Sequence, residues 1–94
     1  MYGLIGKMRC VPGRRADLID ILVGGTKDMP GCQSYVLAED PTDENAVWIT
    51  EVWASETAHK ASLQLQSVKD AIAKGRELIA GSELRVVTRP VGGV

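Results

Sequence analysis

Pro30-Gly31-Cys32-Gln33-Ser34-Tyr35-Val36-Leu37-Ala38-Glu39-Asp40-Pro41-Thr42-Asp43-Glu44-Asn45-Ala46-Val47-Trp48-Ile49-Thr50-Glu51-Val52-Trp53 is the stretch whose reading decides the fold. A strand from Cys32 to about Glu39 follows the Pro-Gly pair. Asp40 to Asn45 supplies turn chemistry, and Ala46 to Trp53 reads as the returning, antiparallel strand. Three of the four aromatic residues of the chain, Tyr35, Trp48 and Trp53, lie here, and there is no Phe elsewhere. Aromatic side chains bury the most surface per residue and stack on flat ligands, so a site or an interface is expected at this hairpin.

Working outward, Tyr2 to Cys10 alternates with a period of two, as a strand does, and Val11-Pro12-Gly13 ends it. Arg14 to about Thr26 changes to helical spacing, with Leu18, Ile21 and Leu22 on one stripe, Ile19 and Val23 widening it, and Gly24-Gly25 at the exit. Beyond the hairpin, Ser55 has the side chain of an N-cap, and Glu56 suits the positive end of a helix dipole. Ala58, Ala61, Leu65, Val68 and Ile72 carry one stripe from Ser55 to about Ala80, with a bend near Gln64 to Ser67. Gly81 is expected to close this helix, and Glu83 to Arg89 to form a fourth strand. The order β-α-β-β-α-β is the split βαβ, or ferredoxin-like, α+β arrangement: a four-stranded antiparallel sheet, strands in the order 4-1-3-2, with helices on one face.

The 94 residues, 45% apolar and 24% charged, fit one soluble globular domain spanning 1–94. Eleven basic and twelve acidic residues leave a net charge of −1 with no basic stripe, which argues against nucleic acid. No apolar run reaches the roughly 18 residues of a membrane span, and the opening Met1-Tyr2-Gly3-Leu4-Ile5 lacks the features of a signal peptide, so a cytoplasmic location is expected. Cys10 and Cys32 fall at opposite ends of the sheet and read as free thiols, and neither has a Cys or His neighbour at zinc-ligand spacing. The Gly pairs match no phosphate loop.

Both faces of the hairpin read apolar: Val47, Ile49 and Trp53 against Trp48 and Val52, and Tyr35 and Leu37 against Val36 and Ala38. Helices cover one face only, and a small domain has a thin core of its own, so a homodimer with sheets packed face to face is expected. Glu51 shares the side of Val47, Ile49 and Trp53, in apolar surroundings where a carboxylate takes up a proton more readily than in water; it is a candidate proton acceptor or a structural carboxylate. His59, the one histidine, falls near the edge of the buried face, where a partly exposed structural role competes with acid–base work. Ser62 and Ser67 have no His–Asp partners for hydrolase chemistry. Arg9, Arg85 and Arg89 on strands one and four either meet an anionic ligand or are solvated strand ends.

Pro30-Gly31-Cys32, Tyr35, the Asp40 turn, and Glu51-Val52-Trp53 followed by Ser55-Glu56-Thr57-Ala58 together resemble the antibiotic biosynthesis monooxygenase domain family. The resemblance implies a ferredoxin-like subunit, a dimeric α+β barrel, and oxidation of phenols, quinols or polycyclic aromatics by O₂ without metal or flavin. It makes Glu51 or His59 the base and Tyr35 and Trp53 the walls of a substrate cavity. Ser62 joins the substrate-binding candidates because it stands where similar quinol monooxygenases carry a His, eleven residues after the motif's Glu. Gln66-Ser67 likewise replaces a Pro-His pair, and no His follows His59 to ligate haem. A non-catalytic barrel that binds a hydrophobic small molecule, or a non-oxidative isomerase or dehydratase, are the alternatives.

Overall fold

The computed structural model describes residues 1–94. Its elements are β1 (Tyr2–Cys10), α1 (Arg15–Gly25), β2 (Cys32–Glu39), β3 (Ala46–Trp53), α2 (Glu56–Ser62), α3 (Gln66–Gly75), a 3₁₀ turn (Arg76–Leu78) and β4 (Ile79–Thr88). The strands form one antiparallel sheet in the order β2-β3-β1-β4. This is the ferredoxin-like α+β architecture expected from the strand and helix order, with the second helical region divided into two.

The hairpin forms because the turn is tied from inside. Asp40 accepts hydrogen bonds from the Thr42 amide at 2.8 Å and the Thr42 hydroxyl at 3.0 Å, while Asp43 accepts from the Asn45 amide at 3.0 Å. Such Asx contacts mimic a backbone turn and set the register of the strands they join. That register pairs Tyr35 with Glu51 and Leu37 with Ile49, so the period of two sends Val47, Ile49, Glu51 and Trp53 to the helix side. Val47 and Trp53 are fully buried there, packed in two clusters with Leu18, Leu22, Cys10 and Leu78 around the first, and Met29 and Val68 around the second.

The second helical region departs from the single stripe read in the sequence. Ser55 caps α2, its hydroxyl accepting from the Ala58 amide at 3.1 Å, but the helix stops at Ser62 and α3 restarts at Gln66. The break shifts the phase of the buried face: α2 buries His59 and Ser62, and α3 buries Val68, Ala71 and Gly75. Ala61 and Ile72, both placed on the stripe from sequence, are exposed, whereas His59, placed near its edge, is 8% exposed. Gly81 does not end a helix. The 3₁₀ turn buries Leu78 and β4 begins at once, because Ile79 pairs with Cys10 at the end of β1.

Strand β4 is irregular, with register shifts between Lys7 and Met8 and between Arg9 and Cys10. Glu83 is the extra residue of the first shift, since Lys7 pairs with Leu84 and Met8 with Ser82. Its carboxylate joins Lys7 at 3.1 Å and Arg9 at 2.6 Å on the face away from the helices. Asp40 extends the network, 3.5 Å from Lys7 and accepting from the Trp48 indole N–H at 2.9 Å. The open face is therefore charged at one end and largely apolar at the other, where Ile5, Val36, Val52 and Val86 lie around Thr50. Cys10 and Cys32 are free thiols at opposite ends of the sheet.

Candidate functional site

The local sequence around Gly31 sets how α2 meets the sheet. Gly31 has a φ of 79°, in the left-handed region that favours glycine, and a Cβ there would come within 2.7 Å of the Ala58 methyl. Its carbonyl accepts from the Ala54 amide at 2.8 Å, which stitches the entry of β2 to the exit of β3. The Pro-Gly-Cys approach and the small Ala58 are thus two halves of one contact. That contact lets α2 lie close to the end of β3 and turn His59 inward.

A cavity of about 180 Å³ lies between α1, α2, α3 and the helix-side face of the sheet. Tyr35, Glu51, Trp53, His59 and Ser62 all line it, so the five residues singled out from sequence converge on one space. Most of the remaining lining is aliphatic or thioether, with Met8, Met29, Ile49 and Val68 among it.

The polar groups of the cavity form a chain around Glu51. The Trp53 indole N–H donates to Glu51 Oε1 at 2.9 Å, and His59 Nε2 stands 3.8 Å from the same oxygen, outside hydrogen-bond range. Glu51 and His59 therefore face a common space without being tied to each other. The His59 ring is held edge-on to Trp53, centroids 5.5 Å apart, and is stacked at a tilt on Tyr2 at 5.6 Å. Ser62 donates to the His59 carbonyl at 2.6 Å, so its hydroxyl is engaged within the helix. Burial, and after it the nearby Glu51 carboxylate, pushes the Tyr35 phenol far above its ordinary range. Burial also raises the Cys32 thiol beside the cavity.

Met29 lines the cavity and Tyr2 backs it by stacking on His59, and neither was singled out from the sequence. Tyr2 was legible, because the alternation of β1 puts it on the side of Leu4, and its register partner is Trp53. Met29 follows no periodic pattern: it sits in the connection between α1 and β2 and is buried against Trp53 and Val68. Among the other candidates, Ser67 is exposed, and Arg9 is held by Asp43 at 2.7 Å and by Glu83 on the open face. Arg89 lies beyond the end of β4. No group of three or more His, Cys, Asp or Glu side chains is arranged to hold a metal ion.

The sequence model of the antibiotic biosynthesis monooxygenase family matches residues 1–74, which takes in every residue lining the cavity except Gly75 and Ile79. The chain belongs to this family. A solved structure from Chloroflexus aurantiacus J-10-fl, named for the antibiotic biosynthesis monooxygenases, is 62% identical, with 99% of this chain and 95% of that one covered and a TM-score of 0.97. Structures from Deinococcus radiodurans and Caulobacter crescentus CB15 named for the same family are each 23% identical. The first covers 100% of this chain and 96% of that one with a TM-score of 0.80, the second 97% and 90% with a TM-score of 0.82. At that identity the likeness is one of fold. No curated protein matches the chain. In antibiotic biosynthesis monooxygenase terms, the Glu-x-Trp strand end of the motif is a bonded pair here, Trp53 donating to Glu51.

Proposed function

We propose that this chain is a cofactor-independent monooxygenase that oxidises a quinol, phenolic or polycyclic aromatic small molecule with O₂. The observation that carries the reading is the apolar, aromatic-walled cavity in which Glu51 and His59 face the same space. Trp53 and Tyr35 supply flat walls for a ring, and the aliphatic lining excludes water. Glu51, oriented by the Trp53 indole through one oxygen, uses the other to take the proton of the ring hydroxyl or activated C–H, and His59 stabilises the resulting anion. The electron-rich anion then reduces O₂. With an anthrone, the methylene carbon ends as a carbonyl carrying one oxygen atom, and the second oxygen leaves as water with the two methylene hydrogens.

Oxygen uptake with an anthrone or a hydroquinone is the test. We expect Glu51→Gln and His59→Ala each to lower the rate by about 10²-fold or more, in the range of a lost general base. Unchanged rates in both variants would remove these residues from the mechanism. Turnover that persists under strict anaerobiosis would point instead to a proton-shuttling isomerase or dehydratase, and tight binding without turnover to a binding module.

The assembly that goes with this reading is a homodimer. The apolar end of the open face, where Val36 is 52% and Val86 41% exposed, is covered when a second copy packs sheet against sheet. Light scattering should give twice the chain's 10.1 kDa at micromolar concentration. Val86→Glu should shift the mass to that of a monomer, and a monomeric parent would refute the assembly.

A further inference from the structure

A second cavity, of about 220 Å³, opens beside the first and shares Met8, Tyr35, Ile49, Glu51 and His59 with it. Its floor is Gly6. In register, Gly6 lies between Ile49 of β3 and Arg85 of β4, and its alternation with Leu4 and Met8 puts all three of these positions on the helix side. A Cβ at Gly6 would meet only the Leu84 carbonyl, at 3.7 Å, so the missing side chain leaves a trough from Ile49 to Arg85. At the far end of the trough Arg85 is exposed and takes part in none of the ion pairs of the chain. Lys7, the other cation at this cavity, is occupied by Glu83 and Asp40. Glu51 is the one carboxylate lining the space, and it sits at the end shared with the inner cavity.

We propose that this second cavity is an anion subsite, and that the substrate is an aromatic carboxylate whose ring enters the inner cavity while its acid group meets Arg85. The assignment rests on the oxidative reading for where the ring goes. A guanidinium presents two parallel N–H donors that match the two oxygens of a carboxylate, and Ser82, which also lines the cavity, supplies a hydroxyl donor. Charge fixes the orientation. Glu51 repels the acid group and Arg85 attracts it, so the ring position remote from the carboxylate is presented to Glu51 and His59.

The test pairs turnover with binding. Oxygen uptake is compared for 2,5-dihydroxybenzoate and hydroquinone, and calorimetric affinity for 2-naphthoate and 2-naphthamide, in the parent, Arg85→Gln and Arg85→Lys. We expect each carboxylate to be favoured over its neutral counterpart by about tenfold in KM or Kd, a preference lost in Arg85→Gln and partly restored in Arg85→Lys, which keeps the charge without the fork. Hydroquinone kinetics should be the same in all three proteins. Equal affinity for the naphthalene pair, or a preference that survives Arg85→Gln, overturns the subsite. An Arg85-dependent preference in binding with no oxygen uptake from either quinol upholds the subsite and refutes the oxidation.

Discussion

Trp53 does two jobs with one side chain. Its ring is fully buried against Met29 and Val68, and its indole N–H holds Glu51 Oε1 at 2.9 Å. A hydrogen bond to a charged acceptor contributes about 1.5–3 kcal/mol, so Trp53→Phe, which keeps an aromatic ring, should lower unfolding stability by about 2 kcal/mol in urea titration and lower oxygen uptake as Glu51 loses its orientation. His59 shows the limit of reading one residue in isolation. Its spacing puts it near the edge of a stripe, yet it is buried between Tyr2 and Trp53, because β1, at the far end of the chain in sequence, pairs with β3 and brings Tyr2 alongside the strand end that precedes α2.

At the level of elements, the helices and the hairpin were legible because each follows from local periodicity and turn chemistry. The break between α2 and α3 was visible only as a bend, and its consequence, the change of buried face, was not. Nothing in the run Leu63-Gln64-Leu65 states which residues resume the stripe; that is set by what α3 packs on. Its partner is α1, and the closest approach is at Gly25, where a Cβ would collide with the Ala71 methyl and come within 3.0 Å of the Ser67 carbonyl. Gly25→Ala is therefore expected to destabilise the protein by about 1–3 kcal/mol, the usual cost of overpacking, although alanine is the better helix former. A chemical denaturation curve measures this directly, and a more stable variant would show that the two helices separate easily.

Across the whole molecule, the charged end of the open face links β1, β4 and the β2–β3 hairpin through Asp40, Lys7, Glu83, Arg9 and Asp43. The Thr42 amide, the Trp48 indole and the Thr42 hydroxyl hold Asp40 far below the usual carboxylate range, and Arg9 lowers both Asp43 and Glu83. A carboxylate depressed in the folded state adds stability that is fully present above its unfolded value, near pH 4, and is lost as the pH falls toward the folded value. Asp40→Asn should therefore melt below the parent at pH 7, and the two melting temperatures should converge as the pH drops below about 4. A gap that stays constant with pH would assign Asp40 a purely geometric role. The same network frames the apolar patch on which the proposed second copy would sit, so it also marks the border of that interface.

The sequence by itself determined the class of fold, the strand order and the face of the hairpin that Tyr35, Glu51 and Trp53 share. Alternation and helical spacing are local, and Glu51, Trp53 and Tyr35 were brought together by a register that one turn imposes. Only the tertiary structure decided that His59 turns inward, that Met29 completes the cavity wall, that Glu83 is re-aimed by a bulge, and that Arg85 stands free at the end of a trough floored by Gly6. Each of these depends on which surface a residue meets across the chain, and packing between distant segments settles that where no local pattern does.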